Sequence, residues 1–480
     1  MKLAEYIHYD AIALAELVSK KEISPKELLD NAINLTEKIN PLINAVVISF
    51  YDKAYQQIEH GVGDGLFAGV PSLLKNLDMP YEGTLETEGS RYYSKNICSY
   101  TSLSVSRLLE QGLVFFGRTN TPEFGLSFST EPAMYGPTRN PWLLDRTAGG
   151  SSGGAAAALA SRIVPIHLAS DGGGSIRNPA ACCGVFGFKP SRGHIASGPE
   201  MAEIWAGLVT ENVLSRSVRD NAAGLDILSV PPATGSYYPL IKHEISYLAE
   251  HTKPPKKLII GLLEGPFYDV PVAADCHRAV ELAIHLFQHL GHEVESVKVY
   301  LDLDSIGQAG YHIMAAYMEN ALDIQKLIMR RDYRQDELEP ISRHFAEMGP
   351  RVRGSDLITA RNTIFQQSLA VARLTSKFDI LLTPALAKPP IFLGELNPAD
   401  DFNHFAQKNM EFSPFHSLFN QTGQPAMTVP IYWNENGLPI SIQCAAAIGD
   451  DLTLLQLAHQ IEQIQPWTKY YPSILNHILK

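Results

Sequence analysis

The sequence predicts an α/β protein, and two observations lead to this fold class. Beyond residue 200 the chain alternates between stretches typical of helices and apolar, β-branched stretches typical of strands. In addition, 45% of the 480 residues are apolar and 19% are charged, so a sizeable core can be buried. In this region we expect helices at 218–229, 274–290, 306–331 and 355–376, and strands at 257–263, 293–299 and 379–383.

Helix start and stop signals define further elements toward both ends of the chain. Ser24-Pro25-Lys26-Glu27 is a capping box with proline at the first helical position, and Gly112 is typical of a helix end. The alanine-rich segment from Ala155 to Ala160 favours another helix. The further predicted helices are 9–20, 24–39, 101–112, 155–160 and 451–464, and the further predicted strands are 113–117, 163–168, 427–432 and 437–443.

Two serines among glycines mark the stretch from Gly149 to Pro190. Ser151 lies in GGSSGG and Ser175 follows Gly172-Gly173-Gly174, 24 residues further on. Such loops are ordinarily linkers or turns, but bare backbone N–H groups around a serine also suit acyl transfer. A helix and a strand between them can bring the second serine back to the first. GGSSGG also fits a nucleophile elbow, but the loop-like segment before it weakens that interpretation.

Lys75, in GVPSLLKNL, is surrounded by leucines, and we expect it to be half-buried. Burial lowers the pKa of a lysine, which favours its neutral form as a base. A carboxylate facing the ammonium would raise that pKa again. We therefore expect Asp78 to point away from Lys75.

Three sequence blocks carry a resemblance to the amidase signature family: the segment with Lys75, the GGSSGG segment with Ser151, and the glycine segment that ends in Ser175. They occur in the order and at the intervals typical of that family, and the likeness runs from about Leu14 to Ile464. The resemblance implies a three-layer α/β/α fold with a mixed central β-sheet. It also implies a single domain over 1–480. Its parts would be a signature core at about 65–200, a variable substrate-pocket region at about 200–375 and a C-terminal return to the sheet at about 376–465.

The resemblance also assigns roles to residues. Ser175 would be the nucleophile, Ser151 the proton relay preceded by a cis bond from Gly150, and Lys75 the general base. The oxyanion hole would comprise the backbone N–H groups of Gly172, Gly173, Gly174 and Ser175. Asp171 and Arg177 are expected to form a structural ion pair that braces the loop.

The substrate implied by the resemblance is a small-molecule amide. The blocks SDGGGSIRNPAACCG, KPSRG and NQTGQPAMTVP are similar to the branch with 6-aminohexanoate-cyclic-dimer hydrolases, which indicates linear or cyclic amides. One alternative is the A subunit of a glutamyl-tRNA(Gln) amidotransferase-like complex, although that protein usually has threonine and glutamine where this chain has Gly172 and Asn178. Another alternative is a non-catalytic scaffold on the same fold, which the presence of all three triad residues disfavours.

Charge and composition bear on partners. The net charge of −12 argues against a nucleic-acid partner. Acidic residues interrupt the apolar N-terminal segment, so we expect no signal peptide, no membrane span and a cytoplasmic protein. The five cysteines show no CxxC pairing and read as reduced thiols, and the 16 histidines show no metal-ligand spacing. We expect no cofactor and no metal, and the sequence leaves a homodimer open.

Overall fold

Eleven strands form in the computed structural model of the chain, which describes residues 1–232, 240, 245–264, 267 and 269–477. Most of them are apolar and buried. The strands are β1 (Val46–Ser49), β2 (Pro71–Lys75), β3 (Val114–Thr119), β4 (Ile166–Asp171), β5 (Phe186–Lys189), β6 (Thr210–Ser215), β7 (Ile259–Glu264), β8 (Glu293–Lys298), β9 (Ile380–Pro384), β10 (Ala426–Trp433) and β11 (Pro439–Ala445).

These strands make one sheet in the order β1-β3-β2-β4-β6-β5-β10-β11-β9-β7-β8. The pairs β2/β3, β2/β4, β7/β8 and β7/β9 are parallel. The pairs β1/β3, β4/β6, β5/β6, β5/β10, β10/β11 and β9/β11 are antiparallel. The predicted mixed central sheet is therefore confirmed.

Helices cover the sheet, and none among the described residues is both long and apolar enough to cross a membrane. The helices are α1 (Leu3–Tyr6), α2 (Ala11–Ser19), α3 (Pro25–Ile43), α4 (Tyr51–His60), α5 (Leu103–Glu110), α6 (Gly153–Ala160), α7 (Arg177–Cys183), α8 (Val218–Leu228), α9 (Tyr247–Glu250), α10 (Ala274–His289), α11 (Leu303–Met329), α12 (Pro340–Met348), α13 (Gly354–Thr375), α14 (Phe402–Phe412), α15 (Ser417–Thr422) and α16 (Asp451–Ile464).

The alternation of side chains along β9 shows that both faces of the sheet are covered. Ile380 and Leu382 pack into a core with α8, α10 and α16, whereas Leu381 packs into a second core with α11, α13 and α15. Successive side chains of a strand point to opposite faces, so these two cores lie on opposite sides of the sheet. This is the predicted α/β/α layering.

The predicted elements are present, with ends displaced by a few residues. Among the strands the largest difference is in β4, which the sequence predicts at 163–168 and which runs from Ile166 to Asp171. Pro165 lacks an N–H for a sheet hydrogen bond, and the ladder with β6 starts directly after it, at Ile166 opposite Ser215. The displacement matters for function, because it places Asp171 at the end of a strand.

The parallel pairing of β2 with β4 positions the site. Leu74 lies opposite Leu168 in this pair, so the carboxyl ends of both strands meet at one edge of the sheet. Lys75 ends β2, and the glycine-rich loop with Ser175 follows the end of β4. Carboxyl ends of strands in open α/β sheets are a common place for ligand sites.

Candidate active site

Lys75 is fully buried, with 1% of its surface exposed, and not half-buried as the sequence suggested. Its Nζ donates to Ser151 Oγ at 2.8 Å and to Ser170 Oγ at 3.0 Å. Burial lowers the pKa of Lys75 to about 8, and the carboxylates of Asp78 and Asp171 oppose this shift without cancelling it. A larger fraction of Lys75 is therefore neutral near neutral pH than for an ordinary lysine.

Asp78 does not point away from Lys75, which corrects the expectation from sequence. Ser170 Oγ donates to Asp78 Oδ2 at 3.1 Å, and the same hydroxyl accepts from Lys75 Nζ. A serine therefore lies between the ammonium and the carboxylate. Sequence reasoning missed Ser170, because its neighbourhood carries no signal apart from the glycines that follow Asp171.

The GGSSGG loop places Ser151 directly in front of α6. The Gly150–Ser151 peptide bond is cis, as the resemblance implies. Thr130 Oγ1 donates to the Gly149 carbonyl at 2.8 Å, and Gly150 N donates to Asn178 Oδ1 at 3.1 Å. A Cβ atom at Gly150 would lie 2.4 Å from the carbonyl oxygen of Ser127, so only glycine fits there.

Ser175 lies beside this loop, at the same cavity. Ser152 N donates to the Ser175 carbonyl at 3.2 Å, which links the two serine loops through their backbones. Ser151 is 1% exposed and Ser175 is 8% exposed, and both line the cavity described below. The structure thus brings Lys75, Ser151 and Ser175 together at one place, although 100 residues separate the first from the last.

The three glycines before Ser175 differ in their surroundings. The N–H of Gly174 donates to Asp171 Oδ1 at 2.7 Å, so this amide holds the loop and is not the free oxyanion donor that the sequence suggested. Gly172 lines the cavity. A Cβ atom at Gly173 would meet nothing closer than a ring atom of Phe128 at 3.9 Å, so this backbone faces open space.

Asp171 and Arg177 form a fully buried ion pair, which is the bracing role expected for them. Arg177 Nε and Nη2 donate to the two oxygens of Asp171 at 2.9 and 3.0 Å. Burial acts to raise the pKa of Asp171, but the guanidinium outweighs it and holds the pKa well below its usual range. Asn420 donates to Asp171 Oδ1 at 2.8 Å and Arg177 Nη1 donates to Gln443 Oε1 at 2.7 Å, which ties the loop to the C-terminal segment.

A cavity of about 590 Å³ opens onto these groups, which is within the size range of small-molecule sites. Its floor includes Lys75, Ser151 and Ser175. One wall comes from helix α11 and the segment around Trp205, both inside the region predicted to be variable. The wall residues from this region include Met201, Ile204, Trp205, Val209, Met314, Tyr317, Met318, Ile324, Gln325, Ile328 and Met329.

Acid and base groups at this site are not arranged as metal ligands. Within the ranges that the structure describes, no group of three or more histidine, cysteine or carboxylate side chains could hold a metal ion. All five cysteines are buried free thiols. The ionisable and nucleophilic groups that line the cavity include Lys75, the hydroxyls of Ser151, Ser170 and Ser175, and the carboxyl groups of Asp78, Glu86 and Glu88.

Known proteins resemble this chain along nearly its full length. The family model described as Amidase matches residues 27–455. A 6-aminohexanoate-cyclic-dimer hydrolase of Paenarthrobacter ureafaciens is 33% identical over 484 residues, which cover 97% of each chain. A solved structure of 6-aminohexanoate cyclic dimer hydrolase complexed with substrate has a TM-score of 0.91 and 32% identity, covering 98% of this chain and 100% of that one. A bacterial aryl acylamidase of the amidase signature family has a TM-score of 0.86 and 26% identity, covering 97% and 98%.

The mixed sheet between two helical layers, matched by these solved amidases along nearly the whole chain, defines the protein as an amidohydrolase. The chain belongs to the amidase family.

Proposed function

We propose that the protein hydrolyses the carbon–nitrogen bond of a small linear or cyclic amide through a seryl acyl-enzyme intermediate. The observation that carries this proposal is the hydrogen bond of 2.8 Å from buried Lys75 Nζ to Ser151 Oγ, at the floor of the cavity that Ser175 also lines. The names of the relatives support a small amide as substrate, because two of the curated relatives are 6-aminohexanoate-cyclic-dimer hydrolases.

In the proposed mechanism Ser175 Oγ attacks the amide carbonyl carbon. Its proton moves to Ser151, while Ser151 passes its own proton to neutral Lys75. The tetrahedral intermediate then collapses, the C–N bond breaks, and the leaving nitrogen takes the proton back through Ser151. Water attacks the acyl-enzyme along the same proton path and releases the carboxylic acid and free Ser175. This path requires the two serine hydroxyls to lie within hydrogen-bond reach of each other.

The proposed oxyanion hole consists of the backbone N–H groups of Gly172, Gly173 and Ser175. Gly174 is left out, because its N–H is already donated to Asp171. One such donor is worth about 3 kcal/mol of barrier in enzymes of this kind. The Asp171–Arg177 pair would act indirectly, by fixing the loop that presents these amides.

Lysine can serve as the base here because of its pKa. With a pKa of about 8, about a tenth of Lys75 is neutral at pH 7, whereas an ordinary lysine is almost entirely charged. His167, a buried histidine within β4, is a poor alternative to Lys75 as the general base. Burial lowers the pKa of His167 to about 3, and its ring bonds Thr119 and not a serine of the site.

The amidotransferase alternative gains no specific support. The A subunit of glutamyl-tRNA(Gln) amidotransferase from Thermotoga maritima has a TM-score of 0.75 at 23% identity, and at this identity the likeness shows the fold alone. We therefore retain the stand-alone amidase as the proposed function.

Trapping the intermediate tests the proposal. Purified protein would be mixed with an aryl amide such as hexanoyl p-nitroanilide, quenched in acid, and measured by intact mass spectrometry and peptide mapping. We expect a burst of nitroaniline and an acyl adduct on Ser175. Turnover with the adduct on another residue, or with no adduct under burst conditions, would contradict the acyl-enzyme assignment.

A further inference from the structure

We propose that Glu88 and Gln325 select amide substrates that carry a primary ammonium group on a methylene chain. This inference rests on the proposed function, because both residues line the cavity above the serines. It goes further by assigning a charge and a hydrogen-bonding pattern to the part of the substrate that does not react.

Glu88 is the acid of this cavity that lacks a partner. Glu86 forms an ion pair of 3.1 Å with buried Arg118, and Asp78 accepts from a serine hydroxyl. Among the residues that the structure describes, by contrast, no side chain forms an ion pair or hydrogen bond with the Glu88 carboxyl group. The half-buried Glu88 side chain therefore presents free acceptor oxygens to the cavity.

The acidic groups around the cavity outnumber the cations inside it when Lys75 is neutral. Lys95 is exposed at its mouth, and Lys75 must be neutral to act as the base. In that state neither Asp78 nor Glu88 has a cation to balance it inside the cavity. Burial raises the pKa of Glu88 well above its usual range, and Glu86 and Asp78 add to the effect, as expected where a counter-charge is missing. A bound ammonium would provide that counter-charge.

Gln325, on helix α11, adds an independent observation. Its side chain is 99% buried, since its relative exposure is 1%, and it lines the same cavity. Its Nε2 donates to the Tyr92 carbonyl at 3.5 Å, whereas its Oε1 has no partner among the described residues. Buried acceptors are normally satisfied, so this oxygen calls for a donor from the ligand.

Both residues lie next to the Tyr92–Tyr93 segment, because Gln325 Nε2 donates to the Tyr92 carbonyl and the charge of Glu88 acts on the Tyr93 hydroxyl, which itself donates to the Ala321 carbonyl on α11 at 2.8 Å. The Gln325 Oε1 atom and the ionised carboxylate of Glu88 both offer acceptors, and one N–H of the Gln325 amide is engaged by the Tyr92 carbonyl. A primary ammonium has three donors and no acceptor, so one such group can serve both residues. A carboxylate at the same place would face two acceptors and the charge of Asp78.

Apolar side chains form the rest of the wall beside these two residues. Met314, Met318 and Ile328 on α11, together with Phe124, line the cavity. Such a surface suits a methylene chain between the reacting amide and the ammonium. The inferred substrate class is therefore an ω-amino amide.

Matched substrates test the inference. One pair is 6-aminohexanoyl and hexanoyl p-nitroanilide, which places the ammonium on the acyl side. The other pair is N-(6-aminohexyl)acetamide and N-hexylacetamide, which places it on the amine side and is followed by mass spectrometry. We expect kcat/KM to be at least tenfold higher for the ammonium member of one pair. Equal values within both pairs would overturn the inference.

Variants assign the preference to the two residues. Glu88→Gln and Gln325→Leu should each reduce about tenfold the ratio of kcat/KM for the preferred ammonium substrate to kcat/KM for its neutral partner, and circular dichroism checks that each variant is folded. Glu82→Gln, at an exposed position outside the cavity, is the matched control and should change neither value. A preference that survives both cavity substitutions would contradict the assignment.

A binding measurement separates this inference from the proposed function. Calorimetry would compare hexylammonium with 1-hexanol on wild-type protein and on Glu88→Gln. We expect hexylammonium to bind wild type at least tenfold more tightly than hexanol, with the difference lost in the variant. If no amide is hydrolysed but this difference is present, the proposed function fails and the ammonium subsite stands. If amides are hydrolysed and the difference is absent, only the inference fails.

Discussion

Asp78→Asn should make the enzyme active at lower pH. Neutral Lys75 is the proposed base, so kcat/KM should rise with pH along an acid limb near the Lys75 pKa of about 8. The Asp78 carboxylate raises that pKa, and replacing it by an amide removes the charge while keeping the shape. The limb should therefore move down in pH.

The size of this shift follows from the geometry. The bonds from Lys75 Nζ to Ser170 Oγ and from Ser170 Oγ to Asp78 Oδ2 are 3.0 and 3.1 Å, so the charges lie no more than about 6 Å apart. Coulomb's law gives about 0.7 kcal/mol at the dielectric constant of water and about 3 kcal/mol at an effective constant of about 20. At about 1.4 kcal/mol per pKa unit, the expected shift is about 0.5 to 2 units.

The assay is the pH dependence of kcat/KM between about pH 5 and 10 with an aryl amide that the wild type hydrolyses. Asp64→Asn, at an exposed position away from the cavity, is the control and should leave the limb in place. An acid limb that stays fixed or moves to higher pH in Asp78→Asn would refute the idea that the charge state of Lys75 sets the rate.

Three further outcomes are expected. Ser175→Ala should abolish labelling by a fluorophosphonate, followed by intact mass, while Ser151→Ala should leave slow labelling; the reverse result would make Ser151 the nucleophile. Lys75→Ala should lower kcat at least about 100-fold in steady-state assays, with a residual rate that rises with pH as hydroxide replaces the base. Arg177→Met should lower the free energy of unfolding by about 3–5 kcal/mol in urea titrations, because it leaves Asp171 buried without its cation. Adding Asp171→Asn to that variant should restore part of the loss, and no recovery would argue against an ion-pair origin.

Local patterns were sufficient to predict most of the fold. The capping box at Ser24 starts α3 as expected, with the Ser24 hydroxyl accepting from Glu27 N. The sequence did not show where β4 begins and ends, because the apolar run from Ile163 continues through Pro165 without a change of composition. Strand order was equally out of reach, since it depends on contacts between residues far apart in the chain.

The candidate site, like the fold, was predictable from the sequence only in part. The resemblance carried by three sequence blocks singled out Lys75, Ser151 and Ser175, and the burial of that lysine supports its proposed role as the base. Ser170 and the true position of Asp78 were not predictable, because their roles arise only where β2 and β4 lie side by side. Nor does a glycine-rich sequence show which of its amides are already donated inside the loop.

The layout also explains how one chemistry can serve different amides. The groups proposed to react lie on the ends of β2 and β4 and in front of α6, and all are buried where strands and helices hold them. The opposite wall lies largely on α11, which is partly open to solvent: Ile324, a residue of the wall, is 51% exposed and Leu327 is 79% exposed. Substitutions on a half-exposed helix cost less stability than substitutions in a packed sheet, since fewer buried contacts are lost. We therefore expect changes in α11 to alter which amide is bound while the lysine–serine site and its pH dependence remain unchanged.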